Sequence, residues 1–98
     1  MFKRLAYRGL LARLVNAHGV EPAVAHLLAR ACYPAPRKED LPLEPRLSPK
    51  EAASRVEAWE RTKHPSIDEL VALVFGQDQM EEVMEFVEIS HALRGKGL

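Results

Sequence analysis

Five of the chain's seven prolines, Pro34, Pro36, Pro42, Pro45 and Pro49, crowd into one short stretch, and that stretch limits what the rest can form. Each proline fixes φ and removes a backbone N–H, so neither a helix nor a central strand runs through it. Residues 34–48 are therefore read as an extended linker between a segment 1–33 and a segment 49–98. Leu41, Leu43 and Leu47 lie between its prolines, which makes it a strap across a core rather than a free tether. At about 3.1 Å per residue, a polyproline-like strap reaches across a domain of this size. The whole chain of 98 residues is read as one domain.

Before the strap, Tyr7, Leu10, Leu11, Leu14, Val15 and His18 recur at spacings of three and four, the period of an amphipathic helix. Gly19 follows as a left-handed C-cap, and Pro22 suits the first turn of a second helix whose Val24, Leu27, Leu28 and Ala31 share a face. Residues 1–33 are thus a helical hairpin, stopped by Pro34. After the strap, Ser48 with Glu51 reads as a capping box, with Pro49 at the first helical position. Ser66 with Glu69 and Asp78 with Glu81 repeat the pattern. Three starts predict helices near 49–63, 67–75 and 78–94, the last two separated by Gly76. The fold expected is all-α: about five helices, a hairpin joined by a proline-rich strap to a three-helix unit.

Several function classes lose support at once. With 14 basic and 14 acidic residues the formal net charge is zero, so overall charge draws the chain to neither nucleic acid nor membrane. The distribution is uneven, however: Lys3, Arg4, Arg8 and Arg13 precede the first acidic residue, while Asp78, Glu81, Glu82, Glu85 and Glu88 crowd one late segment. One cysteine, Cys32, forms no internal disulfide and fits a reducing, cytoplasmic compartment. No apolar run approaches the roughly 20 residues that span a bilayer. Arginine outnumbers lysine, and asparagine and threonine occur once each, a bias that suits a heat-adapted source.

Chemistry-bearing patterns are sparse. Leu14, Val15, Gly19, Val20 and Leu28 resemble the spacing of a helix–turn–helix, and that resemblance implies DNA reading by the second helix. That helix opens with Glu21, Pro22 and Ala23, where base edges and phosphates call for Arg, Lys, Asn or Gln. A nucleic-acid-binding alternative would therefore rest on Arg4, Arg8, Arg13 and Arg30. Glu88 and His91 have the Glu-x-x-His spacing of ferritin-like di-iron bundles, and only a symmetric dimer could complete such a site, with Glu57 or Glu60 as the further carboxylate. The segment Ser66 to Met80, with Phe75, Gly76 and Gln79, resembles a helix end in phage tail-assembly chaperones. The spacing differs by one, the aromatic-Thr pair that follows there is missing, and no family is assigned. No nucleophile–base set, phosphate loop or zinc spacing is present, so no enzyme and no cofactor is expected.

What remains is a surface for another protein. Met80, Val83, Met84, Val87 and His91 form one apolar stripe on the last helix, widened by Phe86, Ile89 and Leu93. An arc that wide contacts more than one neighbour, so this is read as the central helix of the fold or a dimer seam. Trp59, the only tryptophan, stands on the thin apolar stripe of helix 49–63 as core anchor or interface hot spot. The function expected is a small protein–protein interaction module, self-associating, with Trp59, Met80, Val83, Met84, Phe86, Val87 and Leu93 at the partner or oligomer interface.

Overall fold

The computed structural model describes residues 2–34, 43–62 and 66–95, with side chains over 6–34, 43–62 and 66–92. Leu41, Pro36, Pro42 and the side chains of Arg4 and Leu93 lie outside the described residues. The fold is all-α: five α-helices and, among the described residues, no strand.

Helix α1 (Phe2–Ala12) runs into a π-helical turn over Arg13–Ala17. The His18 N–H donates to the Arg13 carbonyl at 3.1 Å and the Val20 N–H to the Leu14 carbonyl at 2.8 Å. Gly19 takes φ +66°, which lets the chain reverse after so wide a turn. Helix α2 (Pro22–Cys32) starts with proline in its first turn, and the Glu21 side chain accepts from the Ala23 N–H at 3.3 Å. It stops at Tyr33, ahead of Pro34, because the residue before a proline is steered away from helix.

Helix α3 (Pro49–Arg61) carries the full capping box: Ser48 Oγ accepts from the Glu51 N–H, and the Glu51 carboxylate accepts from the Ser48 N–H. It ends at Arg61, short of residue 63, because the Thr62 hydroxyl and N–H both turn back to the Trp59 carbonyl. Helix α4 (Ile67–Phe75) is capped more simply, the Ser66 hydroxyl accepting from the Asp68 N–H while the Ser66 carbonyl accepts from the Glu69 N–H. Gly76 ends it at φ +95°; a Cβ there would lie 2.7 Å from Asp78 Oδ1 and 3.1 Å from Arg46 Cγ. The third start signal works differently from the sequence reading. A 3-10 turn, Gln77–Gln79, leads into α5 (Met80–Gly95), and Asp78 pairs with Arg46 instead of capping.

Residues 43–48 lie along the α4–α5 junction. The Arg46 N–H donates to the Val74 carbonyl at 2.8 Å, and the Gln79 side-chain amide donates to the carbonyls of Glu44 and Phe75. These bonds occupy carbonyls that the end of α4 leaves unpaired. Leu43 and Leu47 pack half-buried against the core.

The centre of the fold is α2. It touches α1, α3, α4 and α5, and buries Ala23, Ala25, Leu27, Leu28, Ala29, Ala31 and Cys32. Its small residues let neighbouring helices approach closely, while Leu27 and Leu28 interlock with Leu10, Leu14, Val56, Leu70, Val74 and Phe75 in one core. The central position is thus held by α2 and not by α5, for which it is one of two readings from the sequence. Among the described side chains of α5 only Val83 is fully buried; Met80, Phe86 and Val87 are half-buried, and Met84 and Ile89 point outward.

Candidate protein-docking site

Helix α4 is short and strongly apolar, and it cannot bury every side chain it carries. Leu70, Val71, Val74 and Phe75 share the side that faces the core. Leu73 falls on the other side by helical periodicity and is 54% exposed. The 3-10 turn after Gly76 brings Met80 alongside it. Between the two lies an open groove of about 350 Å³, lined by Asp68, Glu69, Ala72, Leu73, Gln77 and Met80. Met84 stands one turn beyond Met80 on the same flank of α5 and is 53% exposed. Ile89, 58% exposed, lies on the opposite flank, separated from Met84 by the side that carries Glu81, Glu85 and Glu88.

The exposed apolar surface is therefore split. Met84 continues the groove, whereas Ile89 stands apart from it. The rim of the groove is acidic. Asp68 and Glu69 are both exposed, and among the described residues neither has an ion-pair partner. The arrangement provides an apolar floor with negative charge at one end.

The residues read from the sequence as an interface distribute differently. Trp59 is 7% exposed, its ring edge-on to His18 with centroids 5.2 Å apart, which is the core-anchor alternative; Val83, read at the interface, is fully buried in the core. The physical reason for Trp59 is that α3 has only two large apolar residues, Val56 and Trp59, and both face inward. Met80 and Met84 belong to the groove flank, and Phe86 and Val87 are half-buried. Asp68, Ala72, Leu73 and Gln77 are not singled out from the sequence, and Glu69 is read there only as part of a helix start. A run such as Leu-Val-Ala-Leu-Val-Phe reads as uniformly buried unless its core-facing set is separated by angle.

A second cluster ties α1 to α3. Arg13 donates from Nε to Glu60 Oε2 at 3.0 Å and from a terminal nitrogen to Oε1 at 3.3 Å, and His18 Nε2 lies 3.1 Å from the same carboxylate. In an α-helix residues five apart point roughly 140° away from each other. The π-helical turn closes its hydrogen bonds over five residues, so Arg13 and His18 come to one side and converge on Glu60. Hydrogen bonding from Arg13 holds the Glu60 carboxyl below its ordinary range, against the opposing effect of burial and with further help from His18. The Arg13 guanidinium is raised in turn by Glu60.

This pairing bears on the nucleic-acid alternative. Arg13 is engaged by Glu60, and the Arg30 guanidinium stacks 4.0 Å above the Tyr7 ring while Tyr7 Oη bonds His26 Nδ1 at 2.6 Å. Of Arg4, Arg8, Arg13 and Arg30, only Arg8 is described as exposed and without an ion-pair partner. The metal alternative divides too: His91 Nε2 pairs with Glu21 Oε2 at 2.9 Å rather than with Glu88. Among the described residues no three His, Cys, Asp or Glu side chains are grouped to hold an ion. Burial, with a smaller push from Glu60, raises the Cys32 thiol to about 12, so it packs as a small hydrophobe. Nor is any described helix long and apolar enough to cross a membrane.

Compared with protein-family models, curated proteins and solved structures, the chain matches none.

Proposed function

We propose that this chain is a small helical protein–protein interaction module, an accessory subunit or adaptor, which docks through the apolar groove between α4 and α5. The observation that carries the reading is the placement of Leu73 and Met84. Both are more than half exposed, Leu73 in the groove lining and Met84 one helical turn beyond the half-buried Met80. Burying a leucine or methionine fully contributes about 1.5–3 kcal/mol, so leaving both half wet forgoes stability that a bound partner would recover. Large exposed apolar side chains that line a groove mark interaction sites, whereas single scattered ones need no explanation. Ile89, isolated on its own flank, is of the second kind.

The test is photo-cross-linking in the cells that make the protein. A photoreactive phenylalanine analogue is placed at Leu73, Met84 or, as a control on an exposed part of α3, Arg55. The reading expects a discrete protein adduct at positions 73 and 84 and none at 55. No adduct at any position, or the same adducts at all three, would contradict it. An adduct of twice the chain's own mass would identify the partner as a second copy.

A further inference from the structure

We infer that the α4–α5 groove takes a basic amphipathic helix of another protein, and not a second copy of this chain; this rests on the docking reading above. The inference comes from how negative charge is distributed. Elsewhere among the described residues most carboxylates are engaged: Glu21 with His91, Glu57 with Arg61, Glu60 with Arg13 and His18, Asp78 with Arg46, and Glu51 in the α3 cap, with Glu44 the exception. On α4 and α5 the pattern changes. Asp68, Glu69, Glu81, Glu82, Glu85 and Glu88 are all exposed, and among the described residues none has an ion-pair partner. Unpaired acids thus gather on the two helices that also leave Leu73 and Met84 uncovered.

An apolar floor of Ala72, Leu73 and Met80 beside unpaired acids is the complement of a helix with apolar anchors at i and i+4 and lysine or arginine beside them. Basic side chains on such a helix would gain from the rim by attraction at encounter and by pairing once docked. A second copy fits less well. A two-fold contact places the same patch on both sides, so the unpaired acids of both copies would be brought into one interface with no described basic side chain in the groove lining to offset them. A head-to-tail contact with the first helix of another copy would find only Arg8 unpaired among that helix's described side chains, since Arg13 just beyond it is held by Glu60. Phosphate-bearing partners are repelled by the same acids.

Two labelled helical peptides test this, one of leucine, alanine and lysine with leucines at i, i+4 and i+7, the other identical with glutamate for lysine. Binding to the intact chain is followed by fluorescence anisotropy at low and high salt. The lysine peptide is expected to bind at least about tenfold more tightly than the glutamate peptide, and to weaken as salt rises. Leu73→Ser is expected to abolish binding, and Asp68→Lys with Glu69→Lys to reverse the preference; both changes are at exposed positions, and circular dichroism checks the fold. Equal binding of the two peptides, lost in Leu73→Ser, would overturn the basic partner and leave the docking groove standing. Binding unaffected by Leu73→Ser, or no binding of either peptide at about 100 times the micromolar range, would overturn the inference. Loss of the cross-links at 73 and 84 as well would overturn the docking reading with it. Concentration-dependent dimers that Leu73→Ser dissolves would replace the foreign helix with a second copy.

Discussion

Helices α2 and α5 make an instructive pair. Both are rich in apolar residues, and α5 is the longer, yet α2 packs against four other helices and buries seven side chains, while α5 buries one of its described side chains completely. The difference lies in side-chain size and in neighbours. Alanines on α2 let four other helices approach, and its two leucines fill the space between them. On α5 the apolar residues are large and spread around most of the helix, so no single packing arrangement covers them all. Val83 goes inward, Phe86 and Val87 reach the boundary, and Met84 and Ile89 remain outside. An apolar count therefore does not distinguish a core helix from a surface one; the angular spread of large side chains does.

The comparison is easiest to break in the core. Leu27→Ala on α2 should cost about 2–5 kcal/mol, since a cavity would open where the side chain is fully enclosed. A thermal or urea melt measures it, and a loss below about 1 kcal/mol would mean that α2 is not the packing centre.

An intermediate effect is expected at the link between α1 and α3. Glu60→Gln removes the charged partner of Arg13 and His18. Because Arg13 is largely exposed and solvent screens it, the loss near neutral pH should be only about 1 kcal/mol. The folded carboxyl sits below its ordinary 4.5, so this contribution is full above about pH 4.5 and fades as pH falls through the lower folded value. Melting curves of the two proteins should differ at neutral pH and converge in acid. A constant gap across that range would show that the glutamate acts through packing and not charge.

Least is expected from α5. Met84→Ser and Ile89→Ser should each change stability by no more than about 0.5 kcal/mol in the isolated chain. They should then separate in function: Met84→Ser weakens partner binding, and Ile89→Ser leaves it intact. Equal loss of binding in both variants would mean that the docking surface wraps around the acidic side of α5.

Much of the fold is legible in the sequence because its punctuation is local. Pro34, Gly19, Gly76 and the Ser48–Glu51 capping box each act within one turn of backbone, and the helices begin and end close to where those residues direct. The candidate site is less legible because it depends on tertiary placement. Leu73 differs from Leu70 only in which way its side chain leaves a short helix, and the groove exists because the turn after Gly76 sets Met80 beside it. The convergence of Arg13 and His18 on Glu60 is hidden for a related reason: it needs a π-helical turn that residue spacing does not announce. Angular sorting of α4 around its buried set would have found Leu73, but not what lies opposite.

The central claim, that the Met80–Met84 flank is open in the free chain and covered on docking, is tested most directly by methionine methyl NMR with a soluble paramagnetic agent. The account predicts strong broadening of the Met84 methyl signal, weaker broadening of Met80, and protection of both when the lysine peptide is added. A Met84 methyl shielded in the free protein at every concentration, or one that the peptide leaves unchanged, would contradict it.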